Sequence, residues 1–224
     1  MNKLSLLIFF VFFPLFALGD GWNESEYQAI EQAIEQPRIA DRSVVITKFG
    51  AKTTGSAAQN QRAIQKAIAF LARQGGGKVV VPAGKWHTGA LRLSSGIELV
   101  VSKDALLQFV FERSLYPLVK TSWEGMMCWN YSPCIYSFGS DDVVVSGEGT
   151  IDGGGSNETW WPMCGKEVFG YIKGVTKEAQ VLGSRRRLQQ MAEDDVPWDE
   201  RRFGLGYGLR PQLINFVKGN RVRV

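Results

Sequence analysis

The fold is decided by one stretch of the chain, residues 75–110, which reads GGGKVVVPAGKWHTGALRLSSGIELVVSKDALLQFV. Short apolar runs follow one another here at 78–81, 91–93, 97–101 and 105–110, and glycine, serine, proline or aspartate separates most of them. Such runs, with turn residues between them, predict short β-strands. Strands this short and this close are compatible with a hairpin sandwich, a barrel or a coiled solenoid.

Two features of these runs favour the solenoid. Many of the runs are apolar on both faces, which is typical of strands in parallel sheets. Asn-Gly and Asp-Gly hairpin signals are scarce between them, and the clear case, Asp152-Gly153, opens a glycine-rich loop instead. Another strand is predicted at residues 143–145, and strand character returns at 213–217 and 221–224. We therefore predict an all-β solenoid built from parallel strands.

Two helical segments precede these strands. Residues 22–36 have apolar side chains at helical spacing and end before Pro37. Residues 59–73 return to the same spacing, and the glycines at 75–77 stop the pattern. A solenoid needs its exposed first coil covered, so we predict that these short helices form an N-terminal cap.

The first nineteen residues predict a secretory signal peptide. Lys3 precedes a mainly apolar segment that extends to Leu18, and the small residues Ala17 and Gly19 precede Asp20, where a signal peptidase could cut. The apolar segment falls short of the about 20 residues of a spanning helix, which favours cleavage over a retained anchor. We expect a secreted or periplasmic mature chain that begins near Asp20 and has no membrane span after cleavage.

The rest of the chain divides into two predicted parts. Residues 20–42 form an N-terminal helical segment, and residues 43–224 form the solenoid, with a charged insertion at about 165–210. The chain ends on strand character without a closing cap, so we expect a truncated solenoid. A small complete domain with its last strand at a sheet edge is the alternative.

The cysteines and the single histidine limit the possible metal sites. Cys128, Cys134 and Cys164 are odd in number, and their spacing leaves open both a Cys128–Cys134 disulfide and buried thiols. No CxxC pair occurs and the single histidine is distant in sequence, so we expect no metal and no cofactor.

The net charge of +4 raises the question of nucleic-acid binding. Arginines at 185–187 and 201–202 are interspersed with acidic residues at 193–195 and 199–200. A solvated insertion of mixed charge explains this pattern better than a track for phosphates, so we expect no nucleic-acid partner. The basic residues could still help to hold an acidic polysaccharide.

Several motifs follow one another in a characteristic order. They read FGA at 49–51, AIQKAI at 63–68 after Asn60, GGGKVVVPAG at 75–84 and VSGEGTIDGGG at 145–155, with Trp160-Trp161 and Arg210-Pro211 beyond. In this order they resemble the N-terminal half of the polygalacturonase-like glycoside hydrolases of family 28, from about Val44 to the last residue. The resemblance implies a right-handed parallel β-helix that hydrolyses α-1,4-linked galacturonate or a related pectin backbone. We expect a monomer whose partner is this polysaccharide.

The glycines of these motifs predict structural roles. Those at 75–77, 84, 147, 149 and 153–155 are expected to take positive φ at tight corners, where a Cβ would clash. A phosphate loop at 75–77 is not predicted, because the Lys-Ser/Thr ending is missing and a strand follows.

The aromatic residues and the histidine also have structural interpretations. Trp160 and Trp161 could stack on sugar rings, but the favoured interpretation is that they pack a long loop against the solenoid. His87 follows Trp86 at a strand end, and no motif places an acid or a nucleophile beside it. We interpret His87 as a surface or packing residue.

Hydrolysis with inversion needs a general acid and a carboxylate base that are far enough apart to admit a water molecule. The resemblance implies that aspartates do both jobs, in an Asn-x-Asp motif and a following Asp-Asp pair, with Gly-His-Gly and Arg-x-Lys further along. This sequence contains no Gly-His-Gly, and no Asn-x-Asp follows Arg210. We therefore assign no catalytic and no metal-binding residue, leave the substrate-binding residues unknown, and expect the chain to be inactive by itself.

Three acidic sites could be mistaken for the catalytic one. Asp141-Asp142 precede the strand at 143–145, which is the wrong place in the family's order of motifs. Asp194-Asp195 lie in the charged insertion and have no glycines around them. Asp152 lies in a glycine-rich turn, where aspartate can bond its own backbone. We interpret all of them as turn or loop carboxylates.

The leading hypothesis is an exported N-terminal fragment of a pectin-type glycoside hydrolase. A carbohydrate-binding or adhesin-like β-solenoid without catalysis is the alternative. A lyase on a similar helix would usually use calcium, and a dense acidic cluster is not apparent in the sequence, so this reading ranks below both.

Overall fold

The computed structural model of the chain describes residues 23–176, 183–204 and 206–224. The predicted signal peptide, residues 1–19, lies outside the described residues. The chain divides into two compact units, one that ends at Glu35 and one from Gln36 to Val224. Within the described ranges, no helix combines the length and the hydropathy that crossing a membrane requires.

The first unit contains helix α1, Glu24–Ala33. Asn23 caps this helix, because its side-chain oxygen accepts a hydrogen bond from the Ser25 N–H at 3.1 Å. None of the described residues of α1 is buried, and the side chain of Ile30 is exposed. The helix is present as predicted, and its role as a cap stays a prediction.

The second unit consists of short strands and two further helices. The helices are α2, Ala57–Ala72, and α3, Ser184–Glu193. The strands in chain order are β1 Ser43–Val45, β2 Gly77–Val81, β3 Gly84–Thr88, β4 Leu91–Arg92, β5 Ile97–Val101, β6 Ala105–Phe109, β7 Leu118–Trp123, β8 Met126–Tyr131, β9 Ile135–Phe138, β10 Val143–Ser146, β11 Thr150–Asp152, β12 Ile214–Val217 and β13 Val222–Arg223.

Most of these strands form three parallel sheets. Sheet A has the order β1-β2-β5-β10-β13, sheet B has the order β3-β6-β11, and sheet C has the order β4-β9-β12. The chain visits sheets A, B and C in turn three times and then returns to sheet A at β13. Each pass therefore stacks on the previous one as a coil, which confirms the predicted parallel sheets.

Apolar side chains stack from coil to coil in the interior. In sheet A, Leu99 pairs with Val79 of the preceding coil and with Val145 of the following one, and all three are buried. In sheet B, the buried residues Trp86 and Leu107 pair in the same way. Full burial of such a side chain contributes about 1.5–3 kcal/mol, so these ladders hold neighbouring coils together.

Helix α2 covers the first coil. Ser56 caps the helix by accepting a hydrogen bond from the Gln59 N–H at 3.2 Å. The helix buries Ile64, Ile68 and Leu71, which lie on one face, and it packs against β2, β3 and β4. This packing is that of the predicted cap.

Two of the three corners of each coil are tight. The sheet A to sheet B corners are residues 82–83, 102–104 and 147–149, and the sheet C to sheet A corners are residues 93–96, 139–142 and 218–221. At Gly147, φ is 107° and an added Cβ would lie 2.0 Å from the carbonyl oxygen of Val101. Glycine is required at this corner because the backbone passes so close to the preceding coil.

The prediction of positive φ for the motif glycines is correct at 75–77, 84, 147 and 154 and wrong at Gly149, Gly153 and Gly155. Close contacts explain Gly149 and Gly155 instead. An added Cβ would lie 2.4 Å from the carbonyl oxygen of Ser102 at Gly149, and 2.6 Å from Nε1 of Trp161 at Gly155.

The corner from sheet B to sheet C differs from coil to coil. Gly89 and Ala90 connect β3 to β4 in the first coil. In the second coil, residues 110–134 leave the coil and contain an antiparallel hairpin of β7 and β8. In the third coil, residues 153–213 leave it and contain α3.

The hairpin of β7 and β8 is absent from the sequence-based prediction. Its turn is Glu124-Gly125, and φ is positive at both residues, at 47° and 83°. Hairpin turns need this conformation, and Asn-Gly or Asp-Gly is the usual sequence signal for it. A turn that begins with glutamate is therefore hard to predict from the sequence.

The two excursions, residues 110–134 and 153–213, pack together, and we call them the corner layer. Their shared core contains Cys128 of β8, Leu188 of α3, Phe203 and Leu209, all buried. The Phe203 N–H also donates to the carbonyl of Trp129 at 2.8 Å. The corner layer therefore has a core of its own beside that of the coils.

Candidate functional site

The corner layer contains a cavity of about 390 Å³, which we call the corner pocket. Its volume lies in the range of about 300–1,000 Å³ that small-molecule sites occupy. The hairpin tip, the segment after β11 and the segment before β12 meet at its walls, which include Trp123, Glu124, Trp160, Trp161, Arg210 and Gln212.

Hydrogen bonds between the two excursions fix these walls. The indole N–H of Trp123 donates to the carbonyl of Arg210 at 3.1 Å, and Nε2 of Gln212 donates to the carbonyl of Ser122 at 2.6 Å. Gly155 leaves room for the indole of Trp161, because an added Cβ would lie 2.6 Å from its Nε1. The pocket therefore depends on residues that are far apart in sequence.

The two neighbouring tryptophans have different environments. Trp160 is 5% exposed and packs edge to face with Phe111 and Tyr116, at centroid distances of 4.7 and 5.1 Å. Trp161 is 42% exposed and has an edge-to-face contact with Phe169 at a centroid distance of 6.1 Å. The predicted packing role describes Trp160, whereas Trp161 presents much of its ring to the surface.

Two buried polar atoms of pocket residues have no partner in the described part of the chain. They are Nε1 of Trp160, a donor, and Oε1 of Gln212, an acceptor. A buried polar atom without a partner costs about 1–3 kcal/mol, so such atoms are rare without a reason.

Positive charge exceeds negative charge at the corner pocket. Oε2 of Glu124 is 2.9 Å from Nε of Arg185, so an ion pair partly offsets the negative charge of Glu124. The guanidinium of Arg210 makes no hydrogen bond or ion pair with any described residue, although its backbone carbonyl accepts from Trp123. The pocket therefore has one uncompensated positive charge.

A second cavity, of about 310 Å³, adjoins the corner pocket. The two cavities share Trp123, Glu124 and Arg210, and the second adds Lys166 and Arg185. Cations therefore outnumber anions on this side of the corner layer, which agrees with the expectation that basic residues could hold an acidic polymer.

A polar ladder crosses the outer face of sheet B. The ladder consists of His87, Gln108 and Asp152, which are in register on β3, β6 and β11. Nε2 of Gln108 donates to Oδ2 of Asp152 at 2.7 Å, and Oε1 of Gln108 is 3.1 Å from Nε2 of His87. His87 must therefore donate from Nε2, because the amide oxygen can only accept.

Asp152 is the fixed end of this ladder. Its Oδ1 accepts from the Gly154 N–H at 2.8 Å, and this bond, followed by that from Gln108, lowers the pKa of the Asp152 carboxyl. The turn role predicted for Asp152 is thus present, and His87, interpreted as a surface or packing residue, is linked to Asp152 through Gln108. The sequence does not reveal this hydrogen-bonded ladder, because its three residues lie in three different coils.

Asp141 and Asp142 tie the corners of consecutive coils together. Arg221 donates to both oxygens of Asp142, at 2.7 and 2.9 Å, and the backbone and side-chain nitrogens of Asn220 donate to Asp141 at 2.9 and 3.0 Å. The hydrogen bonds from Arg221 are the main reason that the pKa of Asp142 falls to about 2. These carboxylates lie at a tight corner, as predicted.

The other acidic pair lies on the surface of the insertion. Oδ1 of Asp194 accepts from Nε2 of Gln190 at 2.9 Å at the end of α3, and Asp195 follows with φ of 52°. In the described part of the chain, no group of three or more His, Cys, Asp or Glu side chains is arranged to hold a metal ion.

The cysteines are free thiols in the structure. Cys128 is buried in the core of the corner layer, and Cys134 is buried at the wall of the corner pocket. Burial raises the pKa of Cys128 to about 11 and that of Cys134 to about 12. Both thiols therefore stay protonated near neutral pH and are weak nucleophiles.

The chain is similar to polygalacturonases in sequence. No family model matches it. It is 32% identical over 143 residues to a protein from Vitis vinifera named "Probable polygalacturonase", and the alignment covers 59% of this chain and 28% of that protein.

The structure is similar to solved polygalacturonase structures. It matches a hyperthermoactive exopolygalacturonase from Thermotoga maritima with a TM-score of 0.80 and 34% identity, over 89% of this chain and 44% of that one. A family 28 exopolygalacturonase from Yersinia enterocolitica gives a TM-score of 0.49 and 18% identity, over 82% and 33% of the two chains. The chain spans less than half of the length of each of these relatives. Together with the ordered motifs, the likenesses to the Vitis vinifera protein and the Thermotoga maritima enzyme support polygalacturonase-like family membership.

Proposed function

We propose that the chain forms the first coils of a polygalacturonase-type glycoside hydrolase that acts on pectin, and that its coils wind as a right-handed parallel β-helix. The likeness to the Thermotoga maritima exopolygalacturonase, with a TM-score of 0.80 over 89% of this chain, carries this proposal. Consecutive strands of each sheet are parallel and joined by crossovers, which are almost always right-handed. The predicted signal peptide supports a secreted or periplasmic location, where the chain would meet the polysaccharide, and we propose that it does so as a monomer.

The role of the chain in this proposal is binding and support. A general acid must carry a proton near the working pH, and the pKa of Asp142, about 2, excludes it from that role. The pKa of Asp152 is also lowered, and this residue is held by Gly154 and Gln108. The general acid of the reaction is therefore not assigned to these carboxylates, and we propose that the chain alone does not hydrolyse pectin.

Binding and hydrolysis can be measured separately on the 224-residue chain. We expect saturable binding of polygalacturonate, weaker binding of neutral dextran, and no release of reducing ends above the level of a heat-unfolded sample. Hydrolysis at the rate of a working enzyme would contradict the proposed inactivity. Equal binding of dextran and polygalacturonate would contradict the proposed substrate class.

A chimera separates the hydrolase from the alternative, a non-catalytic carbohydrate-binding solenoid. We expect that this chain, fused to the remaining coils of the Thermotoga maritima enzyme, releases reducing ends from polygalacturonate. A chimera that folds and binds the polymer but remains inactive would favour the non-catalytic protein.

A further inference from the structure

The sequence contains the acceptor pattern for N-linked glycosylation, Asn-x-Ser or Asn-x-Thr with any residue except proline at x, in three places. The pattern reads NES at 23–25, NYS at 130–132 and NET at 157–159. Such a short pattern also occurs by chance. The position of each asparagine in the structure therefore decides whether the folded chain can carry a glycan there.

The structure excludes Asn130 as an attachment site. Its side chain is fully buried, and its Nδ2 donates to the carbonyl oxygen of Leu209 at 3.1 Å. Nδ2 is the atom to which the sugar is bonded, so a glycan would have to occupy the space where β8 packs against the excursion of residues 153–213. A glycan is bulky, and no folded chain can carry one at Asn130.

Asn157 has the opposite environment. It is exposed in the loop after β11, and its side chain makes no hydrogen bond with any described residue. The loop is nevertheless fixed, because Oγ1 of Thr159 accepts from the Ser156 N–H at 2.8 Å and donates to the carbonyl oxygen of Gly154 at 2.7 Å. The acceptor amide of Asn157 is therefore available at a defined place on the surface.

An exposed aromatic pair lies beside Asn157. The Trp161 N–H donates to the carbonyl oxygen of Ser156 at 3.2 Å. The rings of Trp161 and Phe169 are in edge-to-face contact and are 42% and 39% exposed. The backbone of Gly170 reaches Asn157, since an added Cβ at Gly170 would lie 3.1 Å from the Cβ of Asn157. A glycan on Asn157 would therefore begin next to this apolar surface.

From these observations we propose that Asn157 is the attachment site of an N-linked glycan, and that the first sugars of this glycan cover Trp161 and Phe169. The co-reactant is an oligosaccharide joined to a lipid through a diphosphate. The bond between Nδ2 of Asn157 and C1 of the first sugar forms, and the bond between C1 and the diphosphate oxygen breaks. The lipid diphosphate leaves, and one proton passes from Nδ2 to a base of the transferase. This inference rests on the proposed secreted location and not on the proposed activity.

Peptide mass mapping of the chain secreted from yeast tests the attachment site. The chain is placed behind a yeast signal peptide, and Ser25→Ala removes the pattern at Asn23 but keeps the backbone N–H that this asparagine caps. An amidase that removes each glycan and leaves aspartate in place of the glycosylated asparagine marks the occupied sites. We expect the mark at Asn157 and no mark at Asn130 in the folded, secreted chain.

Two variants of the exposed loop form a matched pair. Asn157→Gln removes the acceptor but keeps an exposed amide, so we expect complete loss of the glycan. Glu158→Gln is the control, because it changes only the middle residue of the pattern and should retain the glycan. Neither altered side chain is buried, so both variants should fold.

Hydroxyl-radical footprinting tests whether the glycan covers the aromatic pair. We expect Trp161 to be oxidised about twofold faster in Asn157→Gln than in Glu158→Gln, because the flat face of its ring is shielded by sugar in the second variant. Phe70, which is 37% exposed on α2, is the internal reference and should be oxidised equally in both.

Three outcomes would overturn the proposal. They are an unmodified Asn157, a glycan at Asn130 in the folded chain, and equal oxidation of Trp161 in the two variants. If little chain is secreted, the same mapping of the chain retained in the yeast cells decides the first outcome. Because yeast supplies the signal peptide, failure at Asn157 does not count against the proposed location. A glycosylated chain that does not bind polygalacturonate would contradict the proposed function and leave the attachment site standing.

Discussion

The tight corners of the coils and the corner layer are held in place by different interactions. At the corner of residues 147–149, backbone approaches backbone so closely that glycine is required. In the corner layer, side chains such as Leu188 and Phe203 build a small core, and the Glu124–Arg185 ion pair lies at the surface. The comparison shows that backbone geometry sets the shape of the coil, whereas side-chain contacts set the shape of the pocket.

Substitution of a tight-corner glycine should have the largest effect on stability. We expect Gly147→Ala to lower the free energy of unfolding by about 4 kcal/mol, because positive φ and the 2.0 Å contact with the carbonyl oxygen of Val101 both oppose a Cβ. Gly125→Ala is the control at the hairpin tip, where φ is 83° but no described atom would lie within 4 Å. Urea denaturation should show a loss of only about 1–2 kcal/mol there. Equal losses would contradict the role assigned to backbone contact.

A cavity in the core of the coils should lower global stability, whereas a cavity in the corner layer should loosen the structure only locally. Leu99→Ala removes a buried rung between Val79 and Val145, and we expect it to lower the free energy of global unfolding by about 3 kcal/mol. Leu188→Ala creates a similar cavity in the corner layer. Hydrogen exchange should accelerate in α3 and remain unchanged in β5 for this variant. Faster exchange in β5 would show that the two cores unfold together.

The carboxylate at a tight corner should make stability depend on pH. Asp142→Asn tolerates the φ of 57° but weakens the bonds from Arg221, so we expect a loss of about 1–2 kcal/mol at pH 7. Because the pKa of Asp142 is lowered to about 2, its contribution is complete above the unfolded value of about 3.9 and is lost as the pH falls towards 2.

Urea midpoints at pH 7 and at pH 2 measure this dependence. The difference between the unaltered chain and Asp142→Asn should fall to a small fraction at the lower pH, where about half of Asp142 is protonated in the folded chain. Asp194→Asn is the control, since Asp194 accepts from Gln190 on the surface of α3 and should change stability by less than about 0.5 kcal/mol. A difference that persists at pH 2 would mean that the charge of Asp142 is not its source.

The ion pair of the corner layer should have the smallest effect on folding. Both partners are largely exposed, so we expect Glu124→Gln to change the free energy of unfolding by less than about 1 kcal/mol in urea denaturation. Since it removes a negative charge beside Arg210, polygalacturonate should bind about two- to threefold more tightly. Glu148→Gln, in an exposed tight corner, should leave the affinity unchanged. Weaker binding by Glu124→Gln would contradict the proposed attraction of an anion.

The tight corners could be predicted from the sequence because their signals are local. Glycines 75–77 and Gly147 stand beside short apolar runs, and both features are visible within a few residues. The corner pocket could not be predicted, because Arg210 and Trp160 meet only after the chain has completed a long excursion. The ladder from His87 to Asp152 was missed for the same reason, since its register depends on how three coils stack. No sequence pattern identifies Gln212. What distinguishes it is a buried amide oxygen that has no hydrogen-bond partner among the described residues.

The position of both excursions at the corner between sheets B and C has a consequence for how this fold can vary. The chain leaves a coil and returns to the next sheet at closely spaced points, whether Gly89-Ala90 or residues 153–213 lie between them. Closing a flexible loop costs only about 0.6 kcal/mol more for each doubling of its length. Insertions at this corner can therefore grow, shrink or exchange sequence at low entropic cost, and the strand register below them does not change.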